Sequence, residues 1–311
     1  MIVNTPILCV LGVFVFAIGS VVGSFLNVCI YRIPWQKSIF WPDSRCPKCY
    51  HKLAARDNVP ILGWLALRGE CRYCGARIAA RYPFVEALTG LLFVAVFLVD
   101  FAHAPRAAWG EVSTRAIVAT VYHAVCVALL VAATFIDYDL TIIPDEITLP
   151  GLLFALGAGA LFPWVRPDPM YASTWWAGLR VGLIGLAVGG GITQSVRLLG
   201  SLALRREAMG FGDVTLMAMI GSFLGWQAAV LTFFLGAFYG LGHALVKIVL
   251  LVVKWLSGRK LSVADRELPF GPYLSMAAAT LMLGWPWIWP GWARGYFETL
   301  RVVFLFLTGL G

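Results

Sequence analysis

The chain has 311 residues, 60% of them hydrophobic and only 13% charged, with a mean hydropathy of +0.82 and a net charge of +8. Soluble globular domains carry about 25% charged residues. That excludes an ordinary soluble enzyme, a disordered chain and a disulfide scaffold. The apolar residues run in long blocks, as a bilayer solvent requires.

The blocks predict an all-α polytopic membrane protein of about eight spans. The first covers 6–31 and is too long, and lacks the basic flank, for a cleavable signal peptide. Others follow at 83–101, 115–136, 147–165, 176–199, 213–224, 227–253 and 270–288, most near the roughly 20 residues that cross the hydrocarbon. An apolar stretch at 297–310 is short for a ninth. The chain divides into the first helix (1–31), a basic loop (32–82) and the remaining membrane domain (83–311). The loop holds ten Lys/Arg against Asp43, Asp57 and Glu70, so +7 of the chain's +8 lies there. The positive-inside rule accounts for this without a nucleic-acid partner and places the loop in the cytoplasm. Alternation then puts 137–146, 200–212 and 254–269 on the same side and loops 102–114 and 166–175 outside. A multi-pass membrane location, with this loop in the cytoplasm, follows.

Seven cysteines divide by position. Cys9, Cys29 and Cys126 lie in or beside spans and suit packing. Cys46-Pro47-Lys48-Cys49 and Cys71-Arg72-Tyr73-Cys74 are two C-x-x-C pairs about twenty residues apart, a zinc-ribbon spacing. Four thiolates leave no open coordination position, so such a zinc is structural. Gly75 follows the second pair where a tight turn is needed. Two unrelated redox pairs are the alternative.

Ionisable residues at the edge of spans are costly and point to function. The third span ends in Ile136-Asp137-Tyr138-Asp139, followed by Ile143-Pro144-Asp145. The sixth opens with Gly210-Phe211-Gly212-Asp213. Two carboxylates brought close share one proton, so that one serves as base on a water and the other as acid on a scissile carbonyl. Other roles fit the same residues: Asp145 and Asp213 suit helix caps and Asp139 a solvated loop.

Five motifs in order resemble the bacterial type IV prepilin peptidases, GxGD-type membrane aspartic proteases. They are Gly23-Ser24-Phe25-Leu26-Asn27-Val28-Cys29-Ile30-Tyr31-Arg32-Ile33-Pro34; the two cysteine knuckles with Asn58-Val59-Pro60-Ile61 between them and Arg81-Tyr82-Pro83 and Glu86 after; Ile136-Asp137 with Ile143-Pro144-Asp145; Glu207-Ala208-Met209-Gly210-Phe211-Gly212-Asp213; and Pro269-Phe270-Gly271-Pro272-Tyr273. The resemblance implies removal of the basic leader from type IV prepilins or pilin-like secretion subunits at the cytoplasmic face of the cell inner (plasma) membrane. Asp137 and Asp213 would be the catalytic pair, with Asp145, Pro144, Gly210, Gly212, Glu207, Gly271 and Pro272 as supporting motif. It further implies N-methylation of the new N-terminus from S-adenosylmethionine, associated with Gly23, Ser24, Asn27, Arg32 and the cysteine loop. One departure is Thr215, where the family often carries a lysine. The expected partners are prepilins or pseudopilins and the lipid bilayer. A contrasting expectation is a non-catalytic membrane scaffold that assembles partners through its zinc knob; it predicts dispensable aspartates and indispensable cysteines. The acidic residues Asp139, Asp145, Glu146 and Glu207 are expected to attract a basic leader.

Overall fold

The computed structural model describes residues 5–103, 114–166, 174–257 and 269–299. Residues 300–310 of the apolar stretch at 297–310 fall outside these, as does most of loops 102–114, 166–175 and 254–269. The described residues are almost entirely helical, with no strand among them: α1 (Thr5–Arg32), α2 (Leu62–Ala66), α3 (Arg81–His103), α4 (Thr114–Leu140), α5 (Asp145–Leu161), α6 (Trp175–Leu204), α7 (Phe211–Leu224), α8 (Trp226–Leu256) and α9 (Gly271–Ile288). A π-helical segment, Trp289–Ala293, continues from α9.

Each of the eight expected spans is a helix, but five are long and apolar enough to cross a membrane: Leu8–Trp35, Arg81–Ala102, Thr114–Leu140, Trp175–Leu204 and Trp226–Val253. For α5 and α7 the difference is one of length: 17 and 14 residues make about 26 and 21 Å at 1.5 Å per residue, against a hydrocarbon core of about 30 Å. α9 has 18 residues, and its two prolines, serine and threonine make it less apolar. The protein is a multi-pass membrane protein.

The chain forms two compact units, Met1–Gly151 and Leu152–Gly311. In the first, α1, α3 and α4 pack together, with α1 against α3 the most extensive pairing. Small residues permit it: a side chain added at Gly19 would meet the Gly90 backbone at 2.8 Å, the close-approach geometry of small-xxx-small helix pairs. Val85, Val96, Cys126, Val127, Ala133 and Ile136 fill the interior. The outward face of α1 leaves Val10, Val13 and Phe14 exposed, the surface a bilayer covers.

In the second unit α6 and α7 form the main pair and α8 packs on α9. The buried residues of α6 are Gly178, Gly182, Gly185, Gly189 and Thr193, one stripe of small side chains. α7 is apolar all round and buried throughout 216–224, as expected for a central helix. Arg166 is also buried. Its guanidinium donates to the carbonyls of Ala155 and Gly159 on α5, Gly178 on α6 and Ser222 on α7, at 3.2, 3.0, 2.6 and 3.2 Å. One cation thereby joins three helices through backbone oxygens that helical pairing leaves a free lone pair on.

Candidate active site and metal centre

α4 is a continuous apolar helix until its last turn, which carries Asp137 and Asp139. The helix closes where Thr141 takes the left-handed conformation (φ +54°) and its amide donates to the Asp137 carbonyl at 2.8 Å, a common helix stop. The turn separates the acidic residues sharply. Asp137 is 5% exposed, whereas Asp139 and Asp145 are exposed. Asp139 pairs with Arg81 at 2.5 Å, and the Arg81 guanidinium also lies over the Phe135 ring, 5.0 Å from its centre. Asp139 thus has a cationic partner, as Glu207 has in Arg197 at 3.4 Å. Pro144 opens α5, its carbonyl accepting from the Ile147 amide at 3.1 Å. Asp145 sits in the first turn, where a carboxylate complements the helix dipole.

The second carboxylate is set by α7. Gly210 is the N-cap and provides no side-chain cap; Asp213 lies in the first turn and is 8% exposed. A side chain at Gly210 would lie in van der Waals contact with Asp213 Oδ2, at 3.6 Å. Thr215 donates its hydroxyl to the Gly212 carbonyl at 3.0 Å; it is spent on the local backbone. Glu207 is exposed, and Arg197 of α6 reaches both it, at 3.4 Å, and the Met209 carbonyl, at 3.2 Å. Arg197 also lies over the Phe211 ring at 5.8 Å. It thus ties down the loop that enters Asp213, a role sequence reasoning missed. The only signal was a lone arginine late in an apolar span. Gly271 is buried at the start of α9, where Pro272 occupies the first turn without an unmet amide.

The four knuckle cysteines converge as their spacing predicts. All four sulfurs lie within 4.8 Å of one another, with Cys46–Cys74 at 3.8 Å and Cys49–Cys71 at 4.0 Å. Tetrahedral coordination at about 2.3 Å puts sulfurs about 3.8 Å apart, so the donor set fits one metal ion. The two knuckles repeat one backbone design. Cys46 N–H donates to His51 O and Tyr50 N–H to Cys46 O; Cys71 N–H donates to Ala76 O and Gly75 N–H to Cys71 O. Arg45 bridges Lys52 as Glu70 bridges Arg77. The turn needs a left-handed residue each time: Gly75 (φ +66°) in the second, but Tyr50 (φ +59°) in the first. Tyr73 of the second knuckle stacks on His51 of the first, centres 4.1 Å apart. The amides of Cys49 and Lys48 pull the Cys46 thiol down to about 6. At Cys74 the Ala76 amide, the largest single influence, favours the thiolate. Desolvation and the three neighbouring sulfurs together outweigh it and push that thiol up to about 12. Of the other cysteines, Cys29 and Cys126 are buried and Cys9 is exposed.

The N-terminal motif residues have visible structural work. A side chain at Gly23 would strike the Glu86 backbone at 2.8 Å. Ser24 hydrogen-bonds the Glu86 carboxylate, and Asn27 donates to the Tyr82 carbonyl at 3.1 Å. Glu86 accepts the Ile61 amide at 2.7 Å and so holds a β-branched residue at φ +61°, a conformation that needs such support. Arg32 ends α1 and donates to the carbonyls of Ser38 and Pro42 at 2.9 and 2.6 Å. Beside it lies a cavity of about 340 Å³, walled by Val28, Arg32, Phe40, Asp43, Lys52 and Asn58 among others.

Residues 17–99 match the bacterial peptidase A24 N-terminal domain, and residues 124–245 match the type IV leader peptidase family. These matches place the chain among membrane peptidases of the A24 class. A prepilin leader peptidase/N-methyltransferase of Myxococcus xanthus is 38% identical over 286 residues, covering 91% of this chain and 75% of that protein. One of Aeromonas hydrophila is 36% identical over 301 residues, covering 86% and 89%. A type 4 prepilin-like proteins leader peptide-processing enzyme of Escherichia coli is 32% identical over 297 residues, covering 89% and 94%. The chain belongs to the prepilin leader peptidase/N-methyltransferase family. No solved structure matches it.

Proposed function

We propose that this chain is a membrane aspartic endopeptidase that removes the basic leader from type IV prepilins or pilin-like secretion subunits, and that it N-methylates the new N-terminus. Asp137 and Asp213 are the catalytic pair. The observation that carries this reading is their burial, which separates them from the exposed Asp139 and Asp145. One carboxylate takes a proton from water as the new C–O bond forms at the scissile carbonyl. The other, protonated, donates to the carbonyl oxygen. Collapse then breaks the C–N bond, and the leaving amine takes up the proton.

Zinc is the metal that the four thiolates of Cys46, Cys49, Cys71 and Cys74 suit, in a closed structural site. It orders the 32–82 loop, which is too charged to build its own core. The basic loop and the catalytic edge lie on the cytoplasmic side of the plasma membrane. Glu86, Asn27 and Gly23 act as positioning residues for this loop. The methyl donor, S-adenosylmethionine, would supply an electrophilic methyl group to the new N-terminal amine. The exposed carboxylates of Asp139, Asp145, Glu146 and Glu207 attract the basic leader.

The test is leader removal from a co-expressed prepilin in membranes. Asp137→Asn and Asp213→Asn are expected to abolish it while thermal unfolding stays that of the wild type. Asp139→Asn is expected to cleave. Wild-type cleavage by either of the first two variants refutes the assignment.

A further inference from the structure

We propose that the cavity between the end of α1 and the 39–58 loop is the methyl-donor site, with Phe40, Asp43 and Lys52 as its ligand-holding residues. This deepens the methyltransferase reading above and rests on it. The cavity's volume of about 340 Å³ lies within the roughly 300–1,000 Å³ of small-molecule sites. Its wall brings together the chemistry that S-adenosylmethionine presents: an aromatic base, a vicinal diol and an amino-acid head of both charges. Phe40 is 83% exposed, an open ring face for the adenine. Asp43 is an acceptor for the ribose diol or the ammonium group. Lys52 is a partner for the ligand carboxylate.

In the free chain Lys52 and Asp43 pair with each other at 2.5 Å, both well exposed. Such a pair is worth little in water, so a zwitterionic ligand can exchange into it at small cost. The Lys52 ammonium also keeps the Asp43 carboxyl below the usual carboxylate range, hence ionised at neutral pH. The loop is held in shape beforehand. Arg32 pins the carbonyls of Ser38 and Pro42. The Ser38 hydroxyl accepts the amides of Phe40 and Trp41 at 3.3 and 3.2 Å. That order spares a ligand the entropy of closing the loop. Arg32 is a positioning residue in this scheme. The site sits at the C-terminal end of the α1 span, with its 39–58 wall beyond that span, where a water-soluble cofactor can arrive.

The experiment is equilibrium binding of S-adenosylhomocysteine to the purified full chain in lipid nanodiscs, by titration calorimetry. Phe40→Ala and Asp43→Ala are each expected to weaken binding at least about tenfold, the scale of a lost base–aromatic stack or charged contact. Metal content and thermal unfolding are expected to equal those of the wild type. Phe40→Tyr keeps the ring and is expected to bind like the wild type; binding as weak as that of Phe40→Ala overturns the stacking role. Undiminished binding by Phe40→Ala and Asp43→Ala overturns the location and leaves methylation standing. No binding by the wild type overturns both.

Discussion

Alanine at Gly185 is the sharpest test of how α7 is held. The added Cβ would lie 2.7 Å from the carbonyl carbon of Gly221 and 3.2 Å from that of Gly225, and would also strike the Gly221 oxygen. Carbon atoms rest at about 3.5–4.0 Å, so α6 and α7 must part locally by about 1 Å. The obstacle is backbone, which has no rotamer to change. Overpacking costs about 1–3 kcal/mol, and a backbone contact belongs at the upper end. Alanine regains about 1 kcal/mol of helix propensity over glycine. The net is about 1–2 kcal/mol of destabilisation. Gly191 lies on the same helix, exposed and with nothing within 4 Å of an added Cβ; Gly191→Ala should keep the propensity gain. Thermal unfolding in one detergent should therefore rank Gly191→Ala at or above wild type and Gly185→Ala clearly below it. Leader cleavage by Gly185→Ala should fall as well, because α7 carries Asp213 and a 1 Å displacement at reacting groups can cost about 10²-fold. Equal unfolding temperatures for the two variants would show that the helices do not meet at this glycine.

Other consequences are as direct. Serine at any of Cys46, Cys49, Cys71 or Cys74 should lower bound metal from one ion per chain to none by elemental analysis, whereas Cys29→Ala should retain it. Retention by the knuckle variants would end the four-thiolate assignment. Arg166→Leu removes four hydrogen bonds from a buried cation to backbone carbonyls, and hydrogen bonds to a charged group are worth about 1.5–3 kcal/mol each. It should lower stability by at least about 3 kcal/mol, and a wild-type unfolding temperature would contradict the role given to this cation. Asp57 accepts from Arg72 at 2.6 Å, and that hydrogen bond holds its carboxyl below the ordinary 3.8. A carboxyl depressed by folding stabilises above its unfolded value and loses that contribution as pH falls through its folded one. Protection of the 44–78 loop from proteolysis should thus show the same gap between wild type and Asp57→Asn from pH 8 to 5, and the gap should close below about pH 4. A gap that widens on acidification would reverse the sign.

Much of this architecture was legible in one dimension. Long apolar blocks specify helices in a bilayer because the backbone must satisfy itself there, and the lengths of the blocks bound the spans. The cysteine knuckles were legible for a similar reason: a two-residue spacing is a local geometric fact, and the distance between pairs need only close a loop. The GxGD motif likewise marks where a glycine cap opens α7.

Tertiary structure decided what depends on a partner distant in the chain. Asp137 and Asp139 are two residues apart and chemically identical, yet one is buried and the other meets Arg81, 58 residues away. No local pattern distinguishes them. The glycines of α6 read as poor helix formers until α7 lies against them, and Arg166 and Arg197 read as stray charges until the carbonyls they hold are in place. Glu86 became a clamp because Ile61 adopts a conformation its own sequence disfavours. Composition and spacing determine which segments are helices and which cysteines converge, since those follow from solvent and local geometry. Burial, pairing and strain are properties of contacts, and only the folded chain supplies the second partner.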